Sequence, residues 1–159
     1  MMRIKIICLG KLKEKYWREA EEEYLKRLQA FAKLEVIELK EESFDGKIPV
    51  EVIKSKEAEK IKSALDKIKD AYIIILDEHG KQFSSVAFSK HLFGMVGQGE
   101  SEFVFVIGGP LGLDESILKM ADLKLSFSSF TFTHQMIRVF LLEQIYRSAM
   151  IDGGRQYHY

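Results

Sequence analysis

The chain has 159 residues, and its 24 basic and 24 acidic side chains give a formal net charge of zero at pH 7. This length predicts one domain with a substantial core, and the ordinary apolar content excludes a disordered chain. The single cysteine, Cys8, excludes an internal disulfide bond and is typical of a reducing cytosol, so we expect a cytoplasmic protein. The sequence has no apolar run long enough to cross a bilayer, so we expect no membrane partner.

Strand-like and helix-like segments alternate in the first half of the chain. Residues 3–9 form a β-branched, apolar run that predicts a buried strand. Residues 15–32 carry apolar side chains at spacings of three and four, which predicts an amphipathic helix. We predict a second strand over residues 34–39, a loop over residues 40–49 and a second helix over residues 53–68.

The second half of the chain continues this alternation. Residues 72–76 and 103–107 are continuous apolar runs, which are typical of strands covered on both faces. Between them, a polar turn over residues 77–82 precedes a helix that Ser84 or Ser85 caps and that ends at a glycine.

A short helix and a last strand complete the predicted sheet. The helix begins at Asp114 or Glu115 and ends at Ala121, and residues 125–127 form the strand. This pattern predicts a single α/β domain over residues 1–159, with a mainly parallel sheet and helices on both faces.

Three strand ends carry residues that suit a ligand site. Ligands bind parallel sheets outside the C-terminal ends of the strands, and residues 76–80, 107–110 and 127–129 occupy such positions. Gly108 and Gly109 allow a ligand to approach the backbone closely. They lack the spacing of a dinucleotide site or a P-loop, so a simple tight turn is the alternative.

Two other features of these strand ends have a simple and a functional interpretation. The acidic and histidine residues of segment 77–79 resemble part of a metal site, but no second Cys/His cluster completes the ligand set. We therefore interpret them as turn residues and predict no metal. Phe127, Phe130 and Phe132 alternate with hydroxyl side chains, which is either plain core or the lining of a small-molecule pocket.

The last helix carries polar residues at the N-terminal end of an otherwise apolar face, and these residues are here called its polar head. Thr133 is a suitable N-cap for a helix over residues 134–150, and His134, Gln135 and Arg138 fall on one of its faces. Such polar groups require hydrogen-bond partners or a ligand cleft. The opposite side is also apolar near its start, so the helix needs a second partner. Two alternatives exist for this second packing partner: a subunit related by a two-fold axis, or the core of a monomer.

Several motifs together resemble one family, the RlmH family of SPOUT-class methyltransferases. The resemblance covers essentially the whole chain. The residues that carry it are Gly10-Lys11-Leu12-Lys13-Glu14-Lys15-Tyr16-Trp17, Phe103 to Gly109, Leu125-Ser126-Phe127-Ser128, Thr131-Phe132, His134-Gln135 with Arg138, Glu143-Gln144 with Tyr146-Arg147, and Tyr157-His158. The chain departs from the family pattern at Thr133, where proline is usual, and at Tyr159, where a basic residue that contacts RNA is usual.

This resemblance implies a fold, a cofactor and a reaction. It implies a homodimer with a C-terminal trefoil knot that binds S-adenosylmethionine within about residues 72–159. It implies methylation of the N3 position of a pseudouridine in a 23S rRNA stem-loop at the subunit interface of the assembled ribosome. The implied cofactor contacts are Leu76, Gly108, Phe127, Ser128, Ser129, Phe130, Thr131 and Phe132.

The same resemblance leads to catalytic expectations at three residues. We expect His158 to act as general base or to orient the substrate base, since a histidine can do so near neutral pH. We expect Arg138 to stabilise negative charge on the uracil oxygens and Tyr157 to stack on the base. His134 is interpreted as structural, and Arg155 is a candidate phosphate contact.

Two other classes of protein are alternatives. One is a nonenzymatic ribosome-binding module that keeps the fold without the cofactor. The other is a nucleotide-binding oxidoreductase, against which the missing dinucleotide fingerprint argues. Zero net charge exerts no general attraction on RNA, but a dimer can gather Lys11, Lys13, Lys15 and Arg155 into a local basic surface.

Overall fold

The computed structural model describes residues 1–157, and it contains five strands and five helices in alternating order. The elements in chain order are β1 Met2–Leu9, α1 Lys15–Leu28, β2 Ala32–Leu39, α2 Val50–Leu65, β3 Tyr72–Gln82, α3 Ser85–Gly97, β4 Glu102–Ile107, α4 Glu115–Leu118, β5 Leu123–Ser126 and α5 His134–Asp152. Within these residues, no helix is both long and apolar enough to cross a membrane.

The five strands form one parallel sheet in the order β2-β1-β4-β3-β5. Every residue of the central strand β4 is buried. Successive side chains of a strand point to opposite faces, and Phe103 and Phe105 accordingly pack against α1, α3 and α5. Val104 and Val106 pack on the other face against α2 and α4. The prediction of a parallel α/β sheet with helices on both faces is confirmed.

The first helix is shorter than the sequence predicts. It ends at Leu28, and Ala32 already pairs with Met2 as the first residue of β2. Phe31 still packs on the apolar side, as its spacing indicated, because its ring centroid lies 6.0 Å from that of Tyr146. The prediction of a helix to residue 32 is therefore wrong, because Phe31 continues the apolar stripe without continuing the helical backbone.

The third strand is longer than the sequence predicts. Leu76 and Lys81 both pair with Leu125, so the residues between them bulge out of the ladder before Gln82 pairs with Ser126. The predicted polar turn over residues 77–82 is therefore a bulge within β3. Its composition matches that of a turn because the bulged residues project from the sheet and lack regular pairing.

The last helix is held at its N-terminus by the predicted cap. The side-chain oxygen of Thr133 accepts a hydrogen bond from the backbone N–H of Met136 at 3.3 Å. The helix crosses one face of the sheet and packs against α1 and α3. Its first turn thereby lies at the sheet edge where β3, β4 and β5 end, which is the edge predicted to bind a ligand.

Candidate active site

A cleft of about 1150 Å³ opens at the C-terminal ends of β3, β4 and β5. It is close in size to small-molecule sites, which measure roughly 300–1,000 Å³. The walls come from the β3 bulge, the loop after β4, the loop after β5, the first turn of α5 and the first turns of α2 and α4. All three predicted strand ends thus meet at one cavity.

The loop after β4 brings its backbone close to the cleft. A Cβ atom built on Gly108 would lie 2.8 Å from the side chain of Leu113, which is closer than atoms normally approach. Gly112 has a φ of +80°, a conformation that L side chains rarely adopt, and its N–H donates to the carbonyl of Gly109 at 3.1 Å. The loop is both a tight turn and a wall of the cleft, so the two interpretations of its glycines are compatible.

The loop after β5 is fixed by hydrogen bonds among its own hydroxyl groups. The hydroxyl of Ser126 donates to the carbonyl of Ser128 at 3.1 Å, and the hydroxyl of Ser128 accepts from the N–H of Phe130 at 3.0 Å. Phe130 is 78% exposed, and Phe132 is partly exposed with its ring edge-on to Phe140 at 5.6 Å. The loop therefore offers aromatic surface that the described chain leaves uncovered.

Acidic side chains dominate the charge of the cleft. The carboxylates in its lining are Glu51, Asp77, Glu78, Asp114 and Glu115. Lys54 is the one lysine among the described lining residues, which also include His79 and His134. Over the described residues, no group of three or more His, Cys, Asp and Glu side chains could hold a metal. The arrangement suits a cationic ligand better than a polyphosphate.

Arg138 lies one turn into α5, in a buried ion cluster outside the cleft lining. Its side chain donates to both carboxylate oxygens of Glu21 on α1 and, at 2.8 Å, to Glu38 on β2. Burial acts to lower the pKa of this guanidinium, but the hydrogen bonds to Glu21 and Glu38 outweigh it and raise the pKa. Of the polar residues predicted on this face of α5, Arg138 is hydrogen-bonded to partners from two other elements, and His134 and Gln135 line the cleft.

Tyr157 lies against the second half of α5. Its hydroxyl donates to Glu143 at 3.2 Å, and its ring packs edge-on to Tyr146 at 4.9 Å and under the guanidinium of Arg147 at 4.8 Å. Burial, a hydrogen bond with Tyr24 and the charge of Glu143 raise the pKa of its phenol. Tyr146 lies twelve residues beyond His134, roughly 18 Å along the helix. His158, the predicted base, lies outside the described residues.

Comparison with known proteins identifies the family. A family model described as "Predicted SPOUT methyltransferase" matches residues 2–158. The chain belongs to the SPOUT methyltransferase family. Relatives named ribosomal RNA large subunit methyltransferase H share 47% identity in Clostridium acetobutylicum and 45% in Lactobacillus johnsonii, each over 99% of this chain and 99% of the relative.

A solved structure has a similar fold despite its low sequence identity. It is titled "The structure of a probable methylase family protein from Haemophilus influenzae Rd KW20". It has a TM-score of 0.57 at 10% identity, over 98% of this chain and 70% of that chain. The likeness at such low identity supports the arrangement of strands and helices.

Most of the predicted cofactor residues of this SPOUT chain line the cleft. The lining includes Leu76, Gly108, Phe127, Ser128, Phe130, Thr131 and Phe132. Ser129, the remaining one, is not in the lining, and its hydroxyl accepts a hydrogen bond from Gln82 at 3.3 Å. Their common location agrees with a shared role, and cofactor binding by them stays a prediction.

Sequence reasoning missed two charged residues of the cleft, Glu51 and Lys54. Both lie in the first turns of α2, which returns to the C-terminal edge of the SPOUT sheet after the loop that follows β2. The signal that could have found them is topological, since any helix that follows a parallel strand begins at that edge.

Asp114 holds the short helix α4 beside the cleft, and we expect its loss to destabilise the protein modestly. Its carboxylate accepts from the backbone N–H of Ser116 at 2.9 Å and from its hydroxyl at 2.6 Å, and these bonds lower the pKa of Asp114. Asp114→Ala is expected to lower the free energy of unfolding by about 1 kcal/mol, measured by urea denaturation. Asp114→Asn keeps the cap and is the control, and equal losses in both variants would contradict the capping role.

Proposed function

We propose that this protein uses S-adenosylmethionine to methylate N3 of a pseudouridine in a 23S rRNA stem-loop, acting as a homodimer on assembled ribosomes in the cytoplasm. One observation carries the proposal. Relatives named ribosomal RNA large subunit methyltransferase H match almost the full length of the chain at 45–48% identity. The cleft at the C-terminal sheet edge supplies a site of suitable size and charge for the methyl donor.

The chemistry of the cleft lining fits S-adenosylmethionine. This cofactor supplies an electrophilic methyl group on a positively charged sulfur. Carboxylates such as Asp77 and Glu78 favour a positive charge in the cleft, and the Phe127 and Phe130 rings offer apolar surface for a purine. Gly108 lies in the wall of the cleft, where Leu113 packs directly against its backbone. The proposal includes a trefoil knot within about residues 72–159, formed by the loops that line this cleft.

Removal of the N3 proton is the step that the protein must assist. A neutral ring nitrogen is a poor nucleophile, so its proton must leave as it attacks the methyl carbon and the carbon–sulfur bond breaks. We assign the base or the base-orienting role to His158. Tyr157 would stack on the pseudouridine ring. The protein's other task is to hold the nitrogen in line with the methyl group.

The position of Tyr157 supports a contribution across the dimer. In its own subunit Tyr157 packs near Glu143 and Tyr146, and Tyr146 lies roughly 18 Å along α5 from His134 in the cleft lining. In a two-fold dimer, the tail of one subunit can meet the cleft of the other. The exposed rings of Phe130, Phe132 and Phe140 are apolar surface that such a dimer would cover.

The proposed role of Arg138 has two forms. In the first form Arg138 donates directly to the uracil oxygens and must give up a carboxylate of Glu21 or Glu38 to do so. In the second form it keeps both partners and holds the first turn of α5, where His134 and Gln135 line the cleft. The hydrogen bonds in the described chain favour the second form.

The proposal predicts methyl transfer to assembled ribosomes and a large loss when His158 is replaced. Labelled S-adenosylmethionine is incubated with 70S ribosomes, separate large subunits and free 23S rRNA, all lacking the modification. Label is expected on one pseudouridine of the 70S ribosome. His158→Ala is expected to slow transfer about 100-fold, because a positioned acid or base contributes about that factor or more.

The control for this measurement is Gln156→Ala, which changes an exposed residue of the same tail and is expected to keep full activity. Label that persists in His158→Ala would overturn the role of His158 and leave the enzyme assignment intact. Absence of label on every RNA with the wild-type protein would overturn the proposed substrate and favour the nonenzymatic ribosome-binding module.

A further inference from the structure

The loop between β1 and α1 lies beside the cleft and has no part in the chemistry described so far. Strand β1 pairs with β4 as far as Cys8 and Ile107, so the loops that follow the two strands are neighbours. A Cβ atom built on Gly109, a cleft residue, would lie 3.8 Å from the Cβ of Leu9. The lysine loop, defined as residues 10–14 together with Lys15 at the start of α1, therefore begins next to the wall of the cleft.

The lysine loop is held in a fixed conformation that directs its lysines outward. Leu12 is buried, and the guanidinium of Arg18 donates to the carbonyls of Leu12 at 3.0 Å and Lys13 at 2.6 Å. Lys11 and Lys13, on either side of the buried leucine, are exposed. Because the backbone is already ordered, binding an anion requires the ordering of the lysine side chains and no further ordering of the loop backbone.

The charge and the aromatic content of this surface differ from those of the cleft. The one acid of the loop, Glu14, has a carboxylate oxygen that is buried, whereas the side chain of Lys15 is 81% exposed. Tyr16 follows directly, is 62% exposed and contacts Trp17 edge-on at 5.3 Å. Exposed lysines around an exposed aromatic ring are the combination that binds single-stranded RNA, through phosphate contacts and base stacking.

The acidic lining of the cleft also favours binding of the RNA backbone at a surface outside the cleft. Carboxylates such as Glu51 and Glu115 repel the phosphates of an RNA chain. An RNA that presents one base to the cleft must therefore be held by its backbone at a neighbouring surface. The lysine loop is such a surface at the adjacent strand end, and a small number of lysines is consistent with a chain of zero net charge.

We propose that the lysine loop and Tyr16 form the surface that holds the substrate RNA beside the cleft, with Lys11 and Lys13 on phosphates and Tyr16 stacked on an unpaired base. This inference rests on the proposed function and deepens it by naming the surface that binds the nucleotides flanking the target. The lysine contacts to phosphates fix the register in which the target base reaches the cleft, and the ring adds binding energy by stacking on an unpaired base.

The test is the salt dependence of binding to 70S ribosomes that lack the modification, measured between about 50 and 200 mM potassium chloride. Lys11→Ala with Lys13→Ala is expected to weaken binding about tenfold at the lower salt. It should also flatten the slope of log K against log salt by about 0.7 to 0.9 for each lysine. Lys33→Ala with Lys69→Ala removes the same charge at the opposite edge of the sheet and is expected to leave both quantities unchanged.

Tyr16 is tested separately by methyl transfer to the same ribosomes. Tyr16→Ala is expected to raise KM at least about fivefold, because stacking on a base is lost. Tyr16→Phe keeps the ring and is expected to retain the wild-type KM. Thermal unfolding of each variant should match the wild type, since Lys11, Lys13 and Tyr16 are exposed.

The outcomes separate this inference from the proposed function. One outcome would overturn the RNA-binding role of the lysine loop and leave the proposed function intact. In that outcome the wild type transfers methyl groups, and the Lys11/Lys13 variant binds with wild-type affinity and salt slope. A loss of affinity that the Lys33/Lys69 control shares would indicate a nonspecific charge effect and would also overturn it. Absence of methyl transfer by the wild type would overturn the proposed function itself.

Discussion

Arg138→Met is expected to lower the free energy of unfolding by about 3 to 5 kcal/mol, the range found when one partner is removed from a buried ion pair. Arg138 is 5% exposed, and the Glu21 side chain is 12% exposed. Methionine fills a similar volume but leaves the carboxylates of Glu21 and Glu38 without their cation. Urea denaturation followed by circular dichroism measures the loss.

The matched control is Lys15→Met, which removes the cation of an exposed pair with Glu19 on the same helix α1. Such surface pairs contribute at most about 1 kcal/mol, so the control should unfold almost as the wild type does. A stable Arg138→Met protein would mean that the two carboxylates find other partners or protons, and the cluster would lose its structural role.

The same cluster separates the two proposed roles of Arg138. If Arg138 acts by holding the first turn of α5, Glu21→Gln and Arg138→Lys should both reduce methyl transfer. The reason is that each substitution weakens the bidentate contact between Arg138 and Glu21. If Arg138 donates directly to the substrate, Glu21→Gln should keep or raise the rate, because it releases the guanidinium. The rate is measured at saturating cofactor and ribosome.

The location of the cleft could be predicted because it depends on short-range patterns. Continuous apolar runs mark buried strands, and parallel strands place their C-terminal ends at one edge. Leu76, Gly108 and Phe127 lie at the C-terminal ends of three predicted strands, so their convergence required no knowledge of the loop conformations. The apolar spacing on α5 likewise predicted a face with a polar head at His134, Gln135 and Arg138, and in the structure Arg138 is buried while the other two line the cleft.

The partners of that polar head could not be predicted from the sequence. Helical periodicity shows that Arg138 is on a buried face, but it does not show which element lies opposite. Glu21 and Glu38 are 117 and 100 residues away, on segments that looked like ordinary charged surface. The position of Tyr157 could not be predicted for the same reason, since its contacts with Glu143 and Tyr146 depend on how the tail folds back along α5.

The bulge in β3 could not be predicted either, and it leads to the second large effect. Polar residues after an apolar strand predict a turn, yet Lys81 and Gln82 return to pair with β5. Gly80 makes this return possible, because a Cβ atom there would lie 2.6 Å from the backbone carbonyl carbon and oxygen of Lys124. Contacts this short do not occur, and a strand backbone cannot move aside as a flexible side chain can.

Gly80→Ala is therefore expected to lower the free energy of unfolding by about 2 to 3 kcal/mol, the usual range for overpacking a tight site. The only relief is to separate the end of β3 from β5, which also moves the bulge and Leu125 in the wall of the cleft. The affinity for the proposed cofactor, S-adenosylmethionine, measured by titration calorimetry on the folded variant, should fall along with stability.

Gly94→Ala is the matched control for this substitution. Gly94 lies within α3, and a Cβ atom there meets nothing within 4 Å. Alanine favours a helix over glycine, so this variant should gain about 0.5 to 1 kcal/mol. Wild-type stability in Gly80→Ala would mean that β5 adjusts without loss. Reduced stability with unchanged cofactor affinity would mean that the bulge supports the sheet and leaves the cleft unaffected.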